Sequence, residues 1–159
     1  MELQIRRFRP TDLPALKALT VEAFDGVSID QNIERQFGLI HGRDWRHRKG
    51  RAMETDAARD SDGIFVAEFG GELAGFVTTW MDRDAGLGWI SHLAVSANCR
   101  RQGVANRLID HAFAHFRNHG LSHARIETLE QNAVGQTMFA SRGFSEVARQ
   151  IHYCIRLDG

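Results

Sequence analysis

The sequence has little of what would mark a specialised scaffold. It holds two cysteines, Cys99 and Cys154, in 159 residues, too few for a disulfide framework. Neither CxxC nor HExxH occurs, so no metal site is expected. Twenty basic and twenty acidic side chains cancel to a formal net charge of zero. Proteins that coat nucleic acid or membrane surfaces carry a basic excess, so neither partner is expected. No run approaches the roughly 18 apolar residues of a membrane span. The opening MELQIRRFRP lacks the apolar stretch of a secretory signal. No repeat or low-complexity linker suggests a boundary, so a single cytoplasmic domain over 1–159 is expected.

What is present is ordinary globular material, 43% hydrophobic and 25% charged, enough to bury a core unaided. Leu3–Phe8 alternates as a strand. Leu13, Leu16, Leu19, Ala23 and Phe24 then recur at helical spacing, and Asp30–Phe37 suggests a second, short helix. Gly38–Gly63 is the least legible stretch: a basic HGRDWRHRKGR precedes a mostly acidic METDAARDSD. It is expected to be a solvated helix with loops, with Trp45 as its anchor and an Asp44–Arg48 pair one turn apart. The sharper alternative is a segment facing the substrate.

GIFVAEF and ELAGFVTTWM, joined by Gly70-Gly71, predict a hairpin, and LGWISHLAV a third strand of a meander. Ala105, Leu108, Ile109, Ala112 and Phe116 then mark an amphipathic helix. HARIETL predicts a strand, NAVGQTMFASRG a short helix, and FSEVARQIHYCIRL a last strand with Ile151, Tyr153, Ile155 and Leu157 on one face. The strand–helix–strand unit from Trp89 to Leu129 requires parallel neighbours. The expected fold is therefore α/β, a mixed and mostly antiparallel sheet with one central parallel pair and helices on both faces.

The stretch CRRQGVANRLI, Cys99–Ile109, lies where a central strand passes into a helix. The first N–H groups of a helix have no internal partners, and its dipole adds positive charge there. A phosphate suits that environment. Gly103 permits close backbone approach and Arg100 and Arg101 bring charged donors. Neither a Walker loop nor GxGxxG is present. Pyrophosphate binding is the sharper reading, and a structural glycine between solvated arginines the plainer one.

The same residues carry a family resemblance. Arg100-Arg101-Gln102-Gly103-Val104-Ala105 is similar to the [Q/R]-x-x-G-x-[G/A] signature of the GNAT superfamily of N-acetyltransferases. ETLEQNAVGQTMFASRGF resembles its second motif, with Asn132 followed by Gly143 and Phe144. The resemblance implies acetyl-CoA as co-substrate and no metal. It implies that backbone groups of Leu93, Ala94 and Val95 pair with the pantetheine arm, and that one N–H at Leu93 or Ala94 meets the thioester carbonyl. Arg100, Arg101, Gln102, Gly103, Val104 and Ala105 would wrap the pyrophosphate, and Asn132 and Phe139 would complete the cofactor contacts.

Acetylation needs an amine that has lost its proton, since an ammonium with pKa ~10 is no nucleophile. Glu127 is the first candidate base, on the strand beside the expected cleft; it stands five residues before Asn132, as a catalytic glutamate does in some family members. His92 is the second candidate and Glu130 the third. Many members carry tyrosine seven residues after the Asn, where this chain has Phe139. Phenylalanine has no proton to give; the lone Tyr153 is expected among core residues, so Ser141, water or no acid at all would serve. The expected acceptor is a small-molecule amine or a peptide N-terminus, and a homodimer is possible. The alternative function is an acetyl-CoA-binding sensor or partner module with little catalysis.

Overall fold

The computed structural model describes residues 1–158. Five strands form one sheet in sequence order: β1 (Leu3–Arg7), β2 (Ile64–Phe69), β3 (Glu72–Asp82), β4 (Leu87–Val95) and β5 (His123–Ile126). The first three pairings are antiparallel. β4 and β5 are parallel, as they must be when a helix rather than a tight turn joins them. That helix is α4 (Val104–Asn118). The others are α1 (Leu13–Ala23), α2 (Ile29–Phe37), α3 (Trp45–Asp60) and α5 (Ala133–Ser141). The mixed sheet with helices on both faces is the expected architecture.

The core is built from strands that are apolar on both sides. In β2, Phe65 and Ala67 face one layer and Ile64 and Val66 the other, by the two-residue period of a strand. The first layer packs on Val104, Leu108, Ala112 and Phe116 of α4. The second packs on Leu16 and Leu19 of α1 and Met53 of α3, together with Phe76 and Ala94 of the sheet. At the β2–β3 turn Gly70 and Gly71 have φ of +56° and +84°, values that L side chains resist.

The 38–63 stretch is a helix with loops, as expected, with α3 taking 16 of its residues. Four other expectations require correction. Asp44 does not pair with Arg48: it caps α3 by accepting from the Arg46 N–H, and Arg48 Nε reaches Asp30 at 3.1 Å. Cap geometry therefore outcompetes the pair one turn on. β5 is four residues long and ends at Ile126 rather than Leu129. No strand forms between Phe144 and Leu157. Ile151, Tyr153, Ile155 and Leu157 are 76–91% exposed, so Tyr153 is not a core residue. Alternation alone does not make a strand; it needs a neighbour offering ladder bonds, and this chain supplies none there.

Trp45 is 2% exposed and opens α3, as its anchoring role requires. Trp45→Ala is expected to cost about 3–5 kcal/mol in urea unfolding, the usual loss for a buried large aromatic. A change near zero would show that α3 is held by other contacts.

Candidate active site

β4 and β5 part company within the sheet. Their pairing stops at Ile90 and Ile126, while β4 runs on to Val95. Beyond that point β4 is paired only with β3, through Leu93–Val77, Ala94–Phe76 and Val95–Gly75. The other backbone edge of Leu93, Ala94 and Val95 faces an opening where an extended molecule can pair as a strand does.

The opening ends at the Arg100–Ala105 loop. Gly103 is the N-cap of α4, with φ +79° and ψ 8°, and no side chain caps that helix. α3 is capped by Asp44 and α5 by Asn132, while α1 and α2 lack a side-chain cap as α4 does. Arg101 also has positive φ, +60°, uncommon outside glycine. Arg100, Arg101 and Gln102 are exposed, beside N–H groups that no cap satisfies. Not every loop side chain is available to a ligand. Gln102 Nε2 donates to the Asn98 carbonyl at 3.1 Å, and Val104 is 1% exposed in the core. Val104 can offer a ligand only its backbone.

Asn132 spends its carboxamide oxygen on the Gly135 N–H at 3.0 Å and one amide proton on Thr128 at 2.8 Å. One amide donor is left. Phe139 packs edge-on against Phe144, centroids 5.9 Å apart, and Phe144 reaches Phe113. The ring at the position where the family motif often has tyrosine is thus tied into the core rim.

A bulge in β4 decides where His92 points. Thr79 stands opposite Ile90 and Thr78 opposite His92, leaving Ser91 as the extra residue. Trp89 pairs with Trp80, and Phe76 with Ala94, on the face covered by α1 and α3. Regular alternation from Trp89 would send His92 to the α4 face. The bulge returns it to the α1–α3 face, where it meets a polar cluster. His92 Nδ1 lies 2.7 Å from Asp56 Oδ2, and Thr78 Oγ1 donates to the same oxygen at 2.7 Å. The His92 N–H donates to Thr78 Oγ1 at 3.0 Å. On the far side of the ring, Lys49 Nζ is 3.2 Å from His92 Nε2 and 4.1 Å above the Phe24 ring. The Phe24 and His92 rings meet edge-on, 5.6 Å apart. Burial pushes the Lys49 amine below its ordinary value, against the pull of Asp30 and Asp56.

Sequence reasoning missed Asp56, Lys49, Thr78 and Phe24. The available signal was the spacing of Lys49 and Asp56, seven residues apart and hence on one helix face. The strand residue they meet depends on the bulge.

Glu127 has a different environment. Its side chain is 61% exposed, with Arg125 at 2.7 Å, and it accepts from Trp89 Nε1 at 3.3 Å. Trp89 stacks on Trp80 at 4.2 Å, and Arg125 and Arg59 lie over the two rings. Glu130 is exposed and pairs with Arg149 at 2.8 Å. Among the described residues no group of three or more His, Cys, Asp or Glu is placed to hold a metal. No helix among them is long and apolar enough to cross a membrane.

Residues 28–144 match the model of the Acetyltransferase (GNAT) family. Over 124 residues the chain is 30% identical to the probable N-acetyltransferase family 8 member 5 of Mus musculus, covering 70% of this chain and 54% of that one. The chain thus spans about half the length of this curated relative. Among solved structures, the paia N-acetyltransferase of Thermoplasma acidophilum, in complex with coenzyme A, superposes with TM-score 0.72 at 19% identity, covering 91% of each chain. The ribosomal-protein-S18-alanine N-acetyltransferase of Escherichia coli gives 0.69 at 21% identity, covering 99% of this chain and 87% of that one.

The buried Lys49 amine has a consequence for stability. Between its lowered folded value and 10.5, the unfolded chain keeps a proton that the folded chain has released. Stability then rises with pH across that window. The unfolding free energy of the native chain, measured in urea against Lys49→Met, is expected to gain on the variant as pH climbs toward 10.5. A flat difference would show that Lys49 keeps ordinary basicity in the fold.

Proposed function

The chain belongs to the GNAT acetyltransferase family, and on that premise we propose that it transfers an acetyl group from acetyl-CoA to a primary amine. The observation that carries this reading is the free edge of β4 leading into an uncapped, arginine-flanked helix start. The two features match the two ends of the CoA molecule. Backbone groups of Leu93, Ala94 and Val95 hold the pantetheine arm, and an N–H at Leu93 or Ala94 donates to the thioester carbonyl as charge grows there. Arg100, Arg101, Gln102 and Gly103, with the backbone of Val104 and Ala105, take the pyrophosphate. The remaining amide proton of Asn132 turns to the pantetheine region. Acetyl-CoA supplies the activated acyl group.

For the proton acceptor we favour His92 over Glu127. Asp56 holds Nδ1–H of His92, which leaves Nε2 as the basic atom. Lys49 lies against that atom. A charged ammonium would hold it as a donor, and burial lowers the basicity that favours that form. Glu127 remains the second reading, because its bond to the Trp89 indole places it beside the same face of β4. No acid is assigned. Phe139 cannot serve, and a thiol with pKa ~8.5 is a fair leaving group near neutral pH. The acceptor is a small-molecule amine or a peptide N-terminus. A cytoplasmic location suits the free thiols of Cys99 and Cys154.

Calorimetric titration with acetyl-CoA, beside NAD and ATP, tests the premise, and binding of acetyl-CoA alone is expected. Equal binding of all three, or of none, would overturn the assignment. Arg101→Glu is expected to weaken acetyl-CoA binding about tenfold to a hundredfold, the value of a lost charge-assisted bond. For the base, thiol release is followed over a panel of amines. His92→Gln is expected to lower kcat by about 10²–10⁴ with acetyl-CoA affinity retained, and Glu127→Gln to leave kcat within a few-fold. The reverse pattern would assign the base to Glu127.

A further inference from the structure

Lysine is scarce in this chain. Of its twenty Lys and Arg residues only Lys17 and Lys49 are lysines. Arginine supplies the positive charge everywhere else, and a guanidinium, always protonated, is no nucleophile. The two amines stand in different settings. Lys17 pairs with Glu54 at 2.7 Å, at an exposed position. Lys49 is attracted by Asp30 and Asp56, but both carboxylates are engaged by other groups. Arg48 Nε reaches Asp30 at 3.1 Å, and His92 and Thr78 each reach Asp56 Oδ2 at 2.7 Å. Lys49 Nζ is left facing the His92 ring nitrogen and the Phe24 ring.

The contacts of Lys49 form a chain of three groups. Nζ lies 3.2 Å from His92 Nε2, and Nδ1 of the same ring lies 2.7 Å from Asp56 Oδ2. That is the order of an activated nucleophile: an attacking group, a base within hydrogen-bond reach of it, and a carboxylate that orients the base. Two elements fix it. Lys49 and Asp56 lie on one face of α3, and the Ser91 bulge brings His92 to them. Burial makes the Lys49 amine less basic than usual, so more of it is neutral at a given pH. What the three groups lack is an electrophile. The acyl-transfer reading sets the thioester carbonyl against an N–H of Leu93 or Ala94, the residues that follow His92 in β4. An acceptor amine must then reach His92 Nε2, and Lys49 Nζ already stands at that atom.

We propose that Lys49 is a self-acetylation site, its Nζ taking the acetyl group of the acetyl-CoA bound to the same chain. The inference rests on the acyl-transfer reading with His92 as the base. The neutral amine attacks the thioester carbonyl carbon. An N–C bond forms, the C–S bond breaks, and CoA leaves as its thiolate. The proton that the nitrogen gives up passes to His92 Nε2 and from there to the thiolate or to water. The product is an amide, too stable to hand the acetyl group on, so each chain reacts once. It is a modification rather than a step of the turnover. Acetylation removes the charge of Lys49 and leaves Nζ a single N–H donor. The cluster then keeps Asp56 and His92 without a facing ammonium.

Incubation of the native chain with acetyl-CoA, followed by peptide mass spectrometry, tests it. Acetyl occupancy at Lys49 is expected to approach one group per chain, at a rate per chain that does not change with protein concentration. Lys17→Arg is expected to behave as the native chain does. His92→Gln is expected to acetylate Lys49 about 10²–10⁴-fold more slowly, with acetyl-CoA affinity retained. The mapping on the native chain needs no variant. A native chain that binds acetyl-CoA while Lys49 stays unmodified would overturn the proposal; thiol release to the amine panel would show that the acyl-transfer reading stands without it. An acetyl group confined to Lys17 or the N-terminal amine would overturn it equally. So would a rate that climbs with protein concentration, or one that His92→Gln leaves unchanged. A chain that binds no acetyl-CoA would overturn both readings.

Discussion

The parting of β4 and β5 beyond Ile90 and Ile126 is the constraint on which the rest of the structure depends. A sheet that stayed zipped would spend the backbone groups of Leu93, Ala94 and Val95 on β5. α4 leaves the C-terminal end of β4 and returns to the N-terminal end of β5, so the parallel strands are joined at their N-terminal ends and part toward their C-terminal ends. Val104 and Leu108 hold the start of α4 on the sheet beside Gly75, at the parted end, and Phe116 holds its far end beside Gly88, at the joined end. The opening is therefore flanked by a rigid strand, a helix start and α5, which is the pre-organisation that binding a long, flexible ligand arm requires.

The loop that closes the opening carries its own strain. Arg101 sits at positive φ, and α4, like α1 and α2, begins without a capping side chain. An unused cap costs stability on the order of 1 kcal/mol, and a left-handed arginine adds to it. In this loop it leaves the first N–H groups of α4 without a side-chain partner, next to Arg100 and Arg101. An anion would recover it.

On the other side of β4, the Ser91 bulge turns His92 into a cluster of Asp56, Thr78, Lys49 and Phe24. His92, Thr78, Lys49 and Asp56 Oδ2 each bond to another member of the cluster, as burial favours. The arrangement brings together a carboxylate, an imidazole and an amine that burial makes less basic, groups suited to proton transfer. The exposed Glu127, paired with Arg125, shares none of that seclusion.

Much of this was legible in the sequence. Period-two runs marked β1 to β4, the 3.6-residue stripe from Ala105 to Phe116 marked α4, and Gly103 after Arg100 and Arg101 marked the start of that helix. These are local signals, set by neighbours a few residues apart. Three things were not local. Whether Phe144–Leu157 becomes a strand depends on a neighbouring edge, not on its own alternation. Whether Asp44 caps a helix or pairs with Arg48 depends on where Asp30 arrives. The direction in which His92 points depends on one extra residue in β4 relative to β3, which only the register of two strands can show. Composition and period thus determined the layers, the crossover and the loop. The tertiary structure alone decided which side chains share a face and a proton, because those distances are set by how separate elements pack against one another.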